Sequence, residues 1–169
     1  TEGWDYSISE IIKEVSQTGI NLVEITGGEP LMQENTWILI DELIRLNYEV
    51  LIETNGSISI KDINKKAVII MDIKTPSSGV SDSFNVSNID YLKPTDEVKF
   101  VISNRKDFDW TVTMIRNYKL EQRSKILLSP AYNILDPEIM IKWMIETGIR
   151  ARLNLQIHKY IFKDNLRGV

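Results

Sequence analysis

The 169-residue sequence has no cysteine, which excludes disulfides and thiolate metal sites within these residues. It has no apolar run near the ~20 residues that a membrane-spanning helix needs. Its opening residues, TEGWDYSISE, are polar and acidic, unlike a signal peptide. It has no excess of one charge either: 20 Lys and Arg stand against 24 Asp and Glu, mixed along the chain, for a net −4. That balance gives no support for nucleic-acid binding or for attraction to an acidic membrane. Asn55-Gly-Ser57 and Asn85-Val-Ser87 match the glycosylation sequon, but without a secretory signal they read as chance matches. The expected compartment is the cytosol, where the chain is cytoplasmic. What is present is a 43% hydrophobic content, enough for a packed core, in a length that fits one domain over residues 1–169.

Periodicity predicts the elements. Ser7-Ile-Ser-Glu10 is a capping box, followed by Ile8, Ile11, Ile12 and Val15 at helical spacing up to Gly19. Asn21–Ile25 reads as a strand. Glu34–Asn47 reads as a helix, with Trp37, Ile40, Leu43 and Ile44 on one face. Strands follow at Glu49–Glu53, ending in the turn Thr54-Asn-Gly56, and at Ala67–Met71. Gly79–Thr95 is polar and weakly patterned, with at most one short helix near Asn88–Leu92. Glu97–Ile102 alternates as a strand. Asp107 or Asp109 is the expected cap of a helix carrying Trp110, Met114, Ile115 and Tyr118. Lys125–Leu128 is a strand. Asp136-Pro-Glu138 starts a helix that runs to Gly148, with cap, first-turn proline and acid in the expected order. Ala151–Leu155 is the last strand. This alternation predicts an α/β fold with a mainly parallel sheet. The first helix would need a strand before it to complete a βα unit, so the sequence reads as beginning mid-fold.

Polar residues gather where the strands end: Thr26 and Glu29, Glu53 and Asn55, Asp72 and Lys74, Lys99 within the fourth strand, Ser129, then Gln156 and His158. In a parallel sheet or barrel the carboxyl ends of strands share one side, where ligands bind. Any single one of these residues is also an ordinary cap or turn residue. In Ile25-Thr-Gly-Gly-Glu-Pro30 the glycine pair allows close backbone approach and positive φ. Its carbonyls and the acid at Glu29 suit a cation such as an amino-acid amine. The same residues equally fit a strand-to-helix turn with an acidic first residue. The spacing is neither that of a phosphate loop nor of a dinucleotide-binding loop.

The Ile25–Pro30 stretch resembles the GGE motif of radical S-adenosylmethionine (SAM) enzymes, where the motif binds the amine of SAM. Other stretches narrow the resemblance: Glu53-Thr-Asn-Gly56, Asp72-Ile-Lys74 with Pro76-Ser-Ser78, Glu97–Ile102, Leu155-Gln-Ile-His-Lys159 and the ending Arg167-Gly-Val169. In that order, over nearly the whole chain, they resemble the 7-carboxy-7-deazaguanine synthase family. The resemblance implies a partial (β/α)6 TIM-like barrel with reduced helices, its first strand and cluster loop lying before Thr1. It implies that Gly27, Gly28 and Glu29 hold the SAM amine. Glu53 and Asn55 would lie near the ribose or adenosine, with Lys74, Ser77 and Ser129 on the cofactor side. Thr26, His158 and the terminal carboxylate of Val169 would face the pterin.

Members of the superfamily hold a [4Fe–4S] cluster on a CxxxCxxC motif after the first strand. Here no cysteine, and no threonine for the family's Mg²⁺, is present at that place, so no metal ligand is expected in this chain. A truncated N-terminus is the expected explanation, and the 169 residues alone are expected to be inactive. In the complete protein the resemblance implies reduction of SAM by the cluster and hydrogen abstraction from 6-carboxy-5,6,7,8-tetrahydropterin. Ring contraction with loss of ammonia, a carbon–nitrogen lyase reaction toward queuosine, follows. An electron donor such as flavodoxin and a homodimer are further implications. Two other readings are another radical SAM enzyme, such as a glycyl-radical activase, and a cluster-less, non-catalytic α/β ligand-binding module.

Overall fold

The fold was analysed in a computed structural model, which describes residues 4–161. Six parallel strands form one sheet in the order β1-β2-β3-β4-β5-β6. They are β1 (Leu22–Ile25), β2 (Glu49–Thr54), β3 (Val68–Ile73), β4 (Glu97–Ile102), β5 (Lys125–Pro130) and β6 (Arg152–Leu153). Each strand pairs with the next in sequence, so every connection is a crossover to a parallel neighbour. Among the described residues β1 and β6 are the two edges, and the sheet is open between them.

The helices are α1 (Ile8–Gln17), α2 (Glu34–Arg45), α3 (Arg105–Asn117), α4 (Pro137–Thr147) and the short α5 (His158–Ile161). The α1 capping box forms as the sequence implies: Glu10 N donates to Ser7 Oγ, and Ser7 N donates to Glu10 Oε2 at 2.8 Å. Asp136 caps α4, accepting from Glu138 N at 2.8 Å, and Gly148 ends it at φ +66°.

The α3 cap differs from expectation. Asn104, not Asp107 or Asp109, accepts from Asp107 N at 3.0 Å. The Asp107 carboxylate is fully buried and accepts instead from Ser77 N and Ser103 N, fastening the loops after β3 and β4 together. Asp72 and Ser129 also lie inside strands rather than beyond them, because β3 and β5 each run two residues further than their apolar runs. The last strand is shorter than Ala151–Leu155, covering only Arg152–Leu153.

Two crossovers lack α-helices. Between β3 and β4 the chain makes three 3-10 turns, Pro76–Ser78, Ser81–Ser83 and Val86–Tyr91, where the pattern suggested at most one short helix. The buried Asn88 organises this region. Its Nδ2 donates to the carbonyls of Gly56 (2.9 Å) and Ile58 (2.8 Å), and its Oδ1 accepts from Ile60 N at 3.0 Å.

Alternation along the strands divides the sheet into two faces. Val50, Ile52, Met71, Ile73, Val98, Phe100, Ile102, Ile126 and Leu128 form the packed face, nearly all below 4% exposed. The helices cover this face, with Leu43 and Ile40 of α2, Phe108 and Ile115 of α3 and Met140 of α4 buried in the same core. Residues of the opposite face, Glu24, Glu53, Ile70, Asp72, Lys99, Leu127 and Ser129, stand one position out of phase and line a cleft.

Candidate functional site

The cleft has a volume of about 420 Å³ and is lined from every strand from β1 to β5 and from the segment after β6. A sheet whose two ends line one hollow is curved around it, so this face is the inner wall of a partial barrel. A cleft of similar volume, about 410 Å³, opens at the opposite end of the sheet, beside the amino ends of β5 and β6. In parallel α/β architectures the ligand side is the carboxyl end. The inner cleft is also lined by three of the predicted site residues, Glu53, Ser129 and His158, and the site is placed there.

Its floor is a charge network. Lys99 Nζ, at the centre of β4, is paired with Glu53 of β2 and lies 3.4 Å from Asp72 of β3. Lys74 holds the same Asp72 Oδ2 at 2.9 Å. Asp72 Oδ1 is buried and has no partner among the described residues. Burial pulls the Lys99 ammonium down, but Asp72 and Glu53 together outweigh it and raise its pKa. On β1, burial first and Glu53 second push the Glu24 carboxyl up, with Lys99 relieving part of that shift. Four carboxylates, Glu24, Glu53, Asp72 and Glu97, line the cleft. Against them stand three bases, Lys99, Lys74 and Arg152, the last paired with Glu97 at 3.1 Å. Four acids against three bases leave an excess of one negative charge, suited to a cationic ligand.

The glycine turn sits at the carboxyl end of β1. Gly27 takes φ +142°, a region that favours glycine, and Gly28 does not share it. No heavy atom lies within 4 Å of where a Cβ would stand on either residue. The backbone is therefore open to a close neighbour. The Glu29 carboxylate is heavily engaged by the protein. It accepts from Thr54 Oγ1 (2.8 Å), Asn55 N (2.8 Å) and Leu31 N (3.2 Å), capping the 3-10 turn Pro30–Met32 and tying the ends of β1 and β2 together. A carboxylate offers about four acceptor positions, so roughly one is left for a ligand.

The other predicted residues divide into groups. Glu53, Ser129 and His158 line the cleft. Ser129 Oγ accepts from Asn154 Nδ2 at 3.2 Å, and His158 opens α5. Lys74 and Ser77 line a smaller adjoining hollow that shares Asp72 with the main cleft. Ser77 Oγ accepts from Asn104 Nδ2 at 2.8 Å. The Asn55 backbone meets Glu29, while its side-chain oxygen turns into its own loop and accepts from Ser57 N at 2.8 Å. Thr26 is exposed beside the glycine turn. Val169 lies outside the described residues.

Of the further cleft groups Glu24, Asp72, Lys99, Asn154 and Gln156, sequence reasoning named Asp72, Lys99 and Gln156 only as polar residues at or within strand ends, and did not name Glu24 or Asn154. Period-two alternation carried the signal for the first three. Glu24, Asp72 and Lys99 each interrupt an apolar strand on the phase opposite to its buried residues.

No family model matches the chain. A 7-carboxy-7-deazaguanine synthase from Koribacter versatilis is 37% identical, over 99% of this chain and 80% of its own. Enzymes of the same name from Chlorobaculum tepidum and Clostridium acetobutylicum are 32% and 34% identical, over 77% and 75% of their own lengths. Among solved structures, QueE from Escherichia coli superposes with a TM-score of 0.71 at 19% identity, matching 89% of this chain and 64% of its own. SuiB from Streptococcus suis, bound to S-adenosylmethionine, gives a TM-score of 0.54 at 13% identity, with 44% of its chain matched. At these identities the two structures bear on fold alone. They share the fold of the curved six-stranded sheet.

Proposed function

The chain belongs to the 7-carboxy-7-deazaguanine synthase family, and from that premise we propose that its inner cleft holds SAM beside a carboxypterin that is converted to 7-carboxy-7-deazaguanine. The observation that carries the reading is the open glycine turn of Gly27 and Gly28 at the carboxyl end of β1, the strand whose Glu24 lines the acidic cleft. Two features fit SAM. The bare backbone admits a ligand ammonium against its carbonyls, and the floor, with one more acid than base and Asp72 Oδ1 unpartnered, suits a sulfonium.

In this reading Gly27 and Gly28 offer carbonyls to the SAM amine, and Glu29 adds its remaining acceptor position. Glu53 and Asn55 bind near the ribose or adenosine, with Lys74, Ser77 and Ser129 on the same side. Thr26, His158 and the Val169 carboxylate orient the pterin. Bound SAM, once reduced, supplies hydrogen abstraction from the substrate; the protein positions the two molecules and excludes water.

The residues do not fit the cluster. The sequence has no cysteine, and among the described residues no three His, Asp or Glu side chains are grouped to hold a metal. We therefore assign the ligands of the [4Fe–4S] cluster and of Mg²⁺ to protein outside these 169 residues. A homodimer, an electron donor such as flavodoxin and a cytoplasmic location belong to the same proposal. No helix among the described residues is long and apolar enough to cross a membrane.

The test is anaerobic reconstitution of the gene product with iron and sulfide, followed by addition of SAM, a reductant and 6-carboxy-5,6,7,8-tetrahydropterin. The reading expects 7-carboxy-7-deazaguanine. Formation of 5′-deoxyadenosine without carboxypterin turnover, or no cluster at all, would overturn it.

A further inference from the structure

Lys99 has a reach that register alone does not require. Its direct cross-strand neighbour is Asp72, but Glu53 is two strands away and opposite Ile70. The lysine therefore leans diagonally over β3 so that one Nζ meets both carboxylates. Its side chain is 17% exposed, against 29% for Glu53 and 12% for Asp72, so most of this network is withdrawn from water.

Stability gives little reason for such a network. Replacing a buried ion pair by apolar side chains is often neutral or favourable, because desolvation offsets the attraction. The inner wall already holds Ile70 and Leu127 beside these charges, so an apolar residue has neighbours to pack against. Orientation is the remaining use. Without the Lys99 ammonium, Asp72 would keep Lys74 at 2.9 Å, while Glu53 would lose its partner beside two other acids, Asp72 and Glu24, and would be free to swing away. With the ammonium in place, Glu53 of the cleft wall gives one oxygen to Lys99, and the other meets no hydrogen-bond donor among the described residues.

We propose that Lys99 is a positioning residue of the cofactor site, which holds the Glu53 carboxylate in place beside Asp72 so that Glu53 presents a fixed acceptor to a hydroxyl donor of SAM. This rests on reading the cleft as the SAM site. Lys99 need not touch SAM; it acts through Glu53. A guanidinium at this position keeps the charge and can bridge two carboxylates, so arginine should substitute in part.

The experiment measures SAM dissociation by calorimetry for the reconstituted gene product and its Lys99→Met and Lys99→Arg variants, with the carboxypterin KM alongside. Lys99→Met is expected to weaken SAM about tenfold or more, with the carboxypterin KM within about twofold and Lys99→Arg within about threefold of wild type. If Lys99→Met fails to fold, Lys99→Gln, which keeps donors without the charge, is held to the same thresholds. Lys99→Met binding SAM within about twofold of wild type, or Lys99→Arg as weak as Lys99→Met, overturns the inference. A wild type that binds SAM beside an unaffected variant refutes this inference alone. A wild type that binds no SAM refutes the function along with it.

Discussion

Replacing Glu29 by alanine separates the two uses of the GGE turn. The carboxylate accepts at 2.8 Å from Thr54 Oγ1, at 2.8 Å from Asn55 N and at 3.2 Å from Leu31 N. Thr54 is 1% exposed, so its hydroxyl loses an acceptor that water replaces poorly. Each of the two short bonds contributes about 1 kcal/mol once part-exposure is discounted, and the lost cap about 1 more, for a total of about 3 kcal/mol. Glu29→Gln keeps one carbonyl oxygen and should cost about 1 kcal/mol. Urea unfolding monitored by circular dichroism reads this directly. With a slope of about 2 kcal/mol per molar, the alanine midpoint should fall by about 1.5 M and the glutamine midpoint by about 0.5 M. In thermal melts the alanine variant should lose about 6–12 °C. An alanine midpoint within about 0.3 M of wild type would refute the reasoning, because Glu29 would then not be fastening β1 to β2.

The two glycines should behave differently. Gly27→Ala forces a side chain into φ +142° and should cost about 1–2 kcal/mol. Gly28→Ala should leave the melting temperature within about 2 °C of wild type and yet weaken SAM about tenfold; unchanged SAM affinity there would count against the open-backbone cradle. Asn88→Ala leaves Ile60 N and the Gly56 and Ile58 carbonyls without their partner, and a loss of about 3 kcal/mol is expected in urea unfolding. A loss under about 1 kcal/mol would mean that the β3–β4 crossover is held by something else. Glu24 titrates above the ordinary 4.5, so through the window above that value the folded state binds more protons than the unfolded one. Stability is therefore lost as pH rises through the window, and Glu24→Gln should gain on wild type as the pH rises above 4.5. Parallel stability profiles for the two proteins would refute this.

What was legible in the sequence was local. The capping box at Ser7, the Asp136-Pro137 start of α4 and the alternation of β4 involve residues a few positions apart, and each forms as read. The β3–β4 crossover was not legible, because its order comes from Asn88 contacts with Gly56, Ile58 and Ile60, about thirty residues back along the chain. The α3 cap was misplaced for a related reason. Asp107 has the composition of a cap, but burial against Ser77 and Ser103 gives it a different task, and Asn104 takes the cap. At the site, polar residues near strand ends pointed to the carboxyl side of the sheet, where Glu53, Ser129 and His158 line a cleft. They did not separate groups that face the cleft from groups that fasten loops. Glu53 faces the cleft, whereas Asn55 spends its side chain on Ser57. The Lys99 network was invisible because its partners, Glu53 and Asp72, are 46 and 27 positions away.

The out-of-phase alternation of the two sheet faces bears on how such a protein can change over time. Every strand carries its packing residues and its chemical residues in turn, on opposite sides of the same backbone. Substitutions at Glu24, Lys99 or Ser129 alter what the hollow recognises without touching Val98, Phe100 or Leu128 behind them. New specificity can therefore be explored one wall position at a time while the core stays fixed. A slip of a single residue in any strand is the change that cannot be absorbed, because it would exchange the two sets at once.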